Sequence, residues 1–285
     1  MKIGLITIEA GVSIVNQLTY EIVKKNLHKH KFYRFDEKET IRPFGEEDLY
    51  NWKKLGGNLL RSISLEDAQK LNKIQVSSLD GVVVMGGEEA LRFSKQLRDI
   101  NNIKILFIPV SIYNEIPESP RSLGYDSALN AAIEDIFKVE DTVSSCRYDQ
   151  FRLFGIQLPG KPGSLLEKDV ADAAGDVIRY LDVDSPDRLS HILREKIDAG
   201  LNHSLLIFDD MTELTRLEEL IEATQLDLSW KITQINEAQC SGMHPTASDR
   251  ILANKIADVL IQWVEGEKNS GLLILQDNKV TFKNN

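Results

Sequence analysis

At 285 residues and 42% hydrophobic content, the chain is long and apolar enough to bury one large core or two modest ones, so a globular protein is expected. Its formal charge of −10 and pI near 5.1 argue against nucleic acid as a partner, because binding a phosphate backbone needs clustered Lys and Arg. The amino terminus MKIGLITIEAG reads as a short strand, and no apolar run approaches the length of a membrane helix; the expectation is a cytoplasmic protein with no membrane partner.

Lys2 to Thr7 reads as a first strand, and Ile14, Val15, Leu18 and Ile22 mark one face of the helix after it. The turn between them is Ile8-Glu9-Ala10-Gly11. From His28 to Asn58 the composition turns polar and aromatic, which suits an irregular surface excursion with short elements, closed by Gly56-Gly57. Val76 to Met85 carries the run Leu79, Val82, Val83, Val84, Met85, a second buried strand, ending in the sharp turn Gly86-Gly87-Glu88-Glu89-Ala90.

Ile103 to Ile108 is short, partly β-branched and ends at Pro109, as a strand in the middle of a parallel sheet does. After a polar loop, small and apolar residues recur at helical spacing from Leu123 (Ser127, Ala128, Ala131, Ala132, Ile136), with Ser119 or Ser122 as the cap. Strands over Phe151 to Leu158, Val177 to Tyr180, Leu205 to Phe208 and Ile232 to Ile235 alternate with helices such as Arg188 to Ala199. A helix from Asp249 to Val264 and a closing strand near Leu272 to Leu275 follow. This alternation predicts an α/β protein with mainly parallel sheets, whose ligands would sit at the carboxyl ends of strands. Cys146 and Cys240 are too isolated for a metal cluster or a disulfide framework, and the five histidines show no ligand spacing.

The segment Ile108 to Asn130, IPVSIYNEIPESPRSLGYDSALN, resembles the active-site loop and following helix of the 6-phosphofructokinases. That family reads Pro-Lys/Gly-Thr-Ile-Asp-Asn-Asp, then Gly-Phe-Asp-Thr-Ala. Pro109, Ile112, Asn114 and the block Gly124 to Leu129 are kept, whereas Tyr113 stands at the position of the catalytic aspartate. The resemblance runs along nearly the whole chain and implies two three-layer α/β/α domains: a larger nucleotide-type domain, 1-137 with 250-285, and a smaller sugar-phosphate-type domain, 138-249. It also implies a homo-oligomer, dimer or tetramer, or pairing with a partner phosphofructokinase subunit, and a sugar phosphate or nucleotide as ligand.

The site residues are implied position by position. Gly11 ends the counterpart of the family's glycine-rich first turn, where Glu9 stands for a glycine. Gly86, Gly87 and Glu88 match Gly-Gly-Asp, which makes Glu88 the candidate Mg²⁺ ligand, since hard cations take carboxylate oxygens; Glu89 replaces a small residue. Ser64 stands where an arginine would reach the phosphates, with Arg61 three residues earlier. Ser111 lies in the central loop as a substrate ligand, with Glu115 beside Tyr113. Arg147 falls near an arginine that crosses a subunit boundary, and Lys161 falls in Pro159-Gly160-Lys161-Pro162-Gly163, the counterpart of Met-Gly-Arg-x-x-Gly. Asp210 replaces the sugar-binding glutamate, with a helix cap as the alternative. Arg250 is kept as a phosphate ligand, with a salt bridge to Asp249 or a neighbour as the alternative, and Cys240 replaces an arginine.

ATP and Mg²⁺ are the cofactors of an active enzyme of this kind. A tyrosine of ordinary pKa near 10 is protonated at neutral pH, and carboxylates nearby, such as Glu115 and Glu88, would raise its pKa further. Two readings stand. One is a family member with little or no kinase activity, retained as a ligand-binding, regulatory or scaffolding subunit. The other is a working 6-phosphofructokinase, or related sugar-phosphate kinase, that uses Glu88, Glu115, Lys161, Asp210 and Arg250.

Overall fold

The computed structural model describes residues 1–26, 28–35, 41–45, 52, 59–70, 78–100, 103–145, 149–242, 244–266 and 269–284. Gly56, Gly57, Asn58, Cys146, Arg147 and the start of the expected second strand at Val76 lie outside them. Contacts divide the chain into one unit of Met1–Ala128 with Ser241–Asn285 and a second of Leu129–Cys240. The joints thus fall at 128/129 and 240/241, against 137/138 and 249/250 in the sequence reading.

In the first unit β1 (Lys2–Ile8) leads into α1 (Ile14–Asn26), then β2 (Lys31–Phe35), β3 (Ile41–Pro43), β4 (Ser62–Ile63) and α2 (Leu65–Lys70). Next come β5 (Gly81–Gly86), α3 (Glu88–Ile100), β6 (Lys104–Pro109) and the start of α4 (Tyr125–Ser144), whose residues from Leu129 belong to the second unit. The sheet order is β12-β11-β6-β5-β1-β2-β3, with β4 also on β1. Its centre is parallel, with Ile3 to Ile8 in register against Gly81 to Gly86, and these against Lys104 to Pro109. All six residues of β5 are buried, which is why the strand reads as a continuous apolar run instead of an alternation. Val82, Val84, Phe107, Ile6 and Leu97 form one core with Ile8 and Leu272.

The described part of the stretch after His28 is built of short elements at the β2-β3 end of the sheet, as expected. It supplies two strands, and Phe44 and Trp52 are both buried, their rings edge-to-face at 5.4 Å. An edge-to-face aromatic pair adds specific attraction to the area it buries, so the polar residues around it disguise a core contact.

The second unit holds β7 (Phe151–Leu158), α5 (Leu165–Ala174), β8 (Val177–Arg179), α6 (Pro186–Asp198), β9 (His203–Asp209), α7 (Leu214–Ala223), β10 (Leu228–Gln234) and the start of α8 (Glu237–Gly242). Its sheet is parallel throughout, in the order β10-β7-β9-β8. Leu153, Leu206, Phe208, Leu189, Leu193 and Leu217 fill one side. Ser164 and Ser185 accept hydrogen bonds from the N–H groups of Glu167 and Arg188, which caps α5 and α6; Pro sits at the start of α6, where its missing N–H costs nothing.

Returning to the first unit, α9 (Ala247–Glu265) packs on α1, and β11 (Gly271–Gln276) runs parallel to β6 before a tight hairpin to β12 (Lys279–Asn284). Asp277 and Asn278 make the turn at φ 48° and 63°, the left-handed pair that matches strand twist in a two-residue hairpin. The architecture is α/β with mixed, mostly parallel sheets.

Candidate functional site

The strand order places β1 between β2 and β5, and a reversal of this kind opens a crevice at the carboxyl ends of an α/β sheet. Three connections of the first unit meet there: the turn after β1, the Gly86-Gly87 turn after β5, and the loop from Val110 to Gly124 after β6. Gly11, Gly86, Gly87, Glu88, Ser111, Tyr113, Glu115 and Arg250 all belong to this unit, whereas Lys161 and Asp210 belong to the second.

The first turn spends its donors internally. Glu9 adopts φ 48°, its N–H donates to Ile63 O at 3.2 Å, and its carboxylate accepts the Leu65 N–H at 3.3 Å. The Ala10 N–H donates to Ser62 Oγ at 2.9 Å. Gly11 has open space where a side chain would be.

At the second turn Gly86 has φ +156°, and a Cβ there would run into Ile8 O and the Ala90 methyl, so only glycine fits. Gly87 is tight for a different reason: the Glu115 carboxylate lies against it, where a Cβ would collide with Oε1. That carboxylate is held by the Ser111 hydroxyl, which donates to its other oxygen while accepting the Tyr113 N–H at 3.0 Å. Ser111, Tyr113 and Glu115 therefore form one connected group. Asn114 turns the loop at φ 59°, a conformation Asn tolerates, and its amide donates to Pro120 O at 2.8 Å.

Glu88 and Glu89 open α3, where carboxylates favour the positive end of the helix dipole. Both are ion-paired to one guanidinium: Arg92 Nη2 lies 2.9 Å from Glu88 and Nη1 2.8 Å from Glu89. The hydrogen bond to Glu88 is the largest cause raising the Arg92 pKa above its ordinary value. The i,i+4 and i,i+3 spacings were readable in E-E-x-x-R, and Arg92 is a residue that sequence reasoning missed. Among the described residues no group of three or more His, Cys, Asp or Glu is placed to hold a metal ion.

Neither Ser119 nor Ser122 caps α4. The Ser119 hydroxyl donates to Arg121 O and accepts the Leu275 N–H, and the Ser122 hydroxyl is buried without a partner. Asp249 does the capping from α9: its carboxylate accepts the Gly124 N–H at 3.2 Å, the Ser127 N–H at 2.9 Å and the Ser127 hydroxyl. In return Thr246, the N-cap of α9, donates its hydroxyl to Asp126 at 2.6 Å. Two helix starts thus satisfy each other. Burial pushes the Asp249 carboxyl up from its ordinary value, opposed by the bonds from Ser127 and Gly124.

Arg250 does not pair with its neighbour Asp249. Its Nε donates to Pro245 O at 2.9 Å and its Nη1 to Gln17 at 3.1 Å, tying α9 to α1. Ser64 is a helix cap, accepting the Asp67 N–H at 3.1 Å, and Arg61 is exposed with φ 61°.

In the second unit Lys161 and Asp210 are both exposed. The carboxylate turned inward is its neighbour Asp209, 2% exposed, which accepts the Met211 N–H and the Thr212 hydroxyl, each at 2.9 Å. Asp210 is therefore not the cap that the alternative reading assigned to it: α7 starts at Leu214, after Glu213. Glu167, 1% exposed, accepts the Gly163 N–H at 3.0 Å and lies 3.6 Å from Arg179 Nε. Desolvation raises its pKa, against the pull of Gly163 and Arg179. Cys240 is a free buried thiol pushed up to about 12 by desolvation.

Paired glycine turns at a sheet reversal, beside a loop that ends in a capped helix, define an open, mostly parallel α/β protein with a crevice at the carboxyl ends of its strands. The phosphofructokinase family model matches residues 2–264, and the chain belongs to that family. It is 24% identical to the ATP-dependent 6-phosphofructokinase 1 of Thermus thermophilus over 243 residues, which cover 81% of this chain and 74% of that one. It is 26% identical to the ATP-dependent 6-phosphofructokinase subunit alpha of Saccharomyces cerevisiae, over 93% of this chain but only 30% of that protein. In fold it is similar to Pichia pastoris phosphofructokinase in the T-state, with a TM-score of 0.84 and 18% identity. That match covers 99% of this chain and 34% of the Pichia chain.

Proposed function

We propose that this chain is a phosphofructokinase-family protein with little or no kinase activity. On this reading it is retained in the cytoplasm as a ligand-binding, regulatory or scaffolding subunit, assembled with its own copies or with another phosphofructokinase subunit. The observation that carries the reading is the Glu115 carboxylate seated against Gly87, tied there by Ser111. A carboxylate in that place presents negative charge where a phosphate would have to approach the turn, and like charges at contact distance repel.

The other residues agree. Tyr113 puts a phenol where the relatives' base would stand, and removing a positioned base costs about 10²- to 10⁴-fold. The residues at the two turns do not fit a magnesium triphosphate: the Glu9 and Ala10 N–H groups are taken, and Glu88, the one candidate ligand, is ion-paired to Arg92 along with Glu89. Phosphoryl transfer relies on positioned cations and donors more than on covalent chemistry, and Arg250 is committed to α1.

The test is a coupled assay with fructose 6-phosphate, ATP and Mg²⁺ at high protein concentration. The expected turnover is far below about 1 s⁻¹, the lower end of the ordinary enzyme range. Turnover at or above that level would establish the other reading, a working sugar-phosphate kinase. Calorimetry with nucleotides and sugar phosphates then measures binding alone.

A further inference from the structure

Lys161-Pro162-Gly163-Ser164, in the second unit, has the form of a type II turn. Pro162 holds its second position, Gly163 its third at φ 69°, and the Ser164 N–H closes it on Lys161 O at 3.0 Å. Ser164 then caps α5 by accepting the Glu167 N–H, and Glu167 reaches back to accept the Gly163 N–H at 3.0 Å, a variant of the capping box. The carboxylate of a surface capping box stands in water. This one is 1% exposed, and its second oxygen, Oε1, is buried without a hydrogen-bond donor.

Two strands bring charge to it. Arg179, at the end of β8, places Nε 3.6 Å from Glu167 Oε1, too far for a hydrogen bond, and that buried Nε is also unbonded. The other side of the same guanidinium lies 3.6 Å from the exposed Asp182. Asp209, which closes β9, adds a negative charge; desolvation and Asp209 together outweigh Gly163 and Arg179, so the Glu167 carboxyl stands above its ordinary range. Lys161 itself is exposed on the outer side of the turn. An anion brought to Lys161 adds negative charge to a turn already tied to Glu167, and a like charge nearby favours the neutral carboxyl. The effect is mutual: if the anion draws a proton on to Glu167, the proton tightens the hold on the anion by the same factor.

We propose that anion binding at the Lys161 turn is coupled to protonation of Glu167, so that the turn holds an anionic ligand more tightly as the pH falls and takes up a proton in doing so. The proposal rests on the ligand-binding part of the reading above and adds its regulation. Glu167 acts through the turn as a positioning residue and does not touch the ligand. Affinity is highest below the ordinary 4.5 of the carboxyl and declines as pH climbs through the raised value.

The experiment titrates the full chain, labelled with 15N-glycine, with inorganic sulfate at fixed ionic strength and at several pH values; the charge of sulfate is constant across that range. The Gly163 amide, bonded to the carboxylate, reports both sulfate binding and Glu167 ionisation. Sulfate affinity should fall about threefold or more between about pH 5 and pH 7. It should stay level in Glu167→Gln, which keeps an oxygen for the Gly163 N–H but cannot ionise, and Lys161→Met should lose the binding. In the parent chain sulfate should also raise the pH at which the Gly163 signal titrates, a readout that needs no variant to fold. Equal pH slopes in parent and Glu167→Gln, or a Gly163 midpoint that sulfate leaves in place, overturns the coupling and leaves the ligand-binding reading standing. No saturable sulfate binding, or binding that Lys161→Met leaves unchanged, overturns the coupling by removing its anion site. Turnover in the coupled kinase assay bears on the kinase-silent reading alone.

Discussion

Asp249→Ala should remove a buried tie between α9 and the start of α4. The carboxylate, 2% exposed, receives two backbone N–H groups from the start of α4 and the Ser127 hydroxyl. Truncation leaves all three donors buried without an acceptor, and each orphaned donor costs about 1–3 kcal/mol. The dipole of α4 also loses its compensating charge, a further ~0.5 kcal/mol or more. Against this stands relief from holding a carboxylate out of water, the same desolvation that raises its pKa. The net expectation is a loss of about 3–4 kcal/mol, read as a lower urea midpoint by circular dichroism and by tryptophan fluorescence. Asp249→Asn should fall between, since its amide oxygen can accept but its NH₂ opposes a donor. A loss below about 1 kcal/mol in Asp249→Ala would refute the capping role assigned to this carboxylate.

Tyr113→Asp restores a carboxylate at the base position but leaves Glu115, Glu9 and the Arg92 pairs in place, so no gain in turnover is expected; a rise of more than about tenfold would show the two turns to be serviceable. Gly86→Ala should cost about 3 kcal/mol or more, because its Cβ meets Ile8 O and Ala90, whereas Gly87→Ala should cost less than about 1 kcal/mol, because only the mobile end of Glu115 must move; equal losses on denaturation would contradict the seating of that carboxylate. Glu167 has its folded pKa raised by desolvation. The folded state therefore binds its proton more readily than the unfolded chain, and that contribution is complete below the ordinary 4.5 and is lost as pH climbs through the raised value. The stability of the parent chain relative to Glu167→Gln should accordingly fall between about pH 4 and neutrality, and a flat difference across paired unfolding curves would contradict it.

The central strands were legible because burial on both faces leaves an unbroken apolar run, as in Gly81 to Gly86, and because Pro109 and Gly86-Gly87 mark where those runs end. The α4 helix was legible for its spacing but its cap was not, since the capping carboxylate lies 122 residues further along the chain. Nor was the hairpin after Gln276 foreseen, although Asp277-Asn278 is the kind of pair that turns two strands tightly. In the candidate site the chain showed which residue types stand at each turn, but not their partners. Asp209 and Asp210 are indistinguishable in a row of letters; Asp209 closes β9, a strand buried along its length, and Asp210 opens the exposed turn beyond it.

The loop bearing Tyr113 and Glu115 is stitched to β11: the Arg121 N–H donates to Leu275 O at 3.0 Å, and the Leu275 N–H to Ser119 Oγ at 2.9 Å. Residues near position 275 thus help fix the outline of a crevice formed by residues 9 to 115. Clipping or fraying that late strand would slacken the crevice wall without touching any group that lines it.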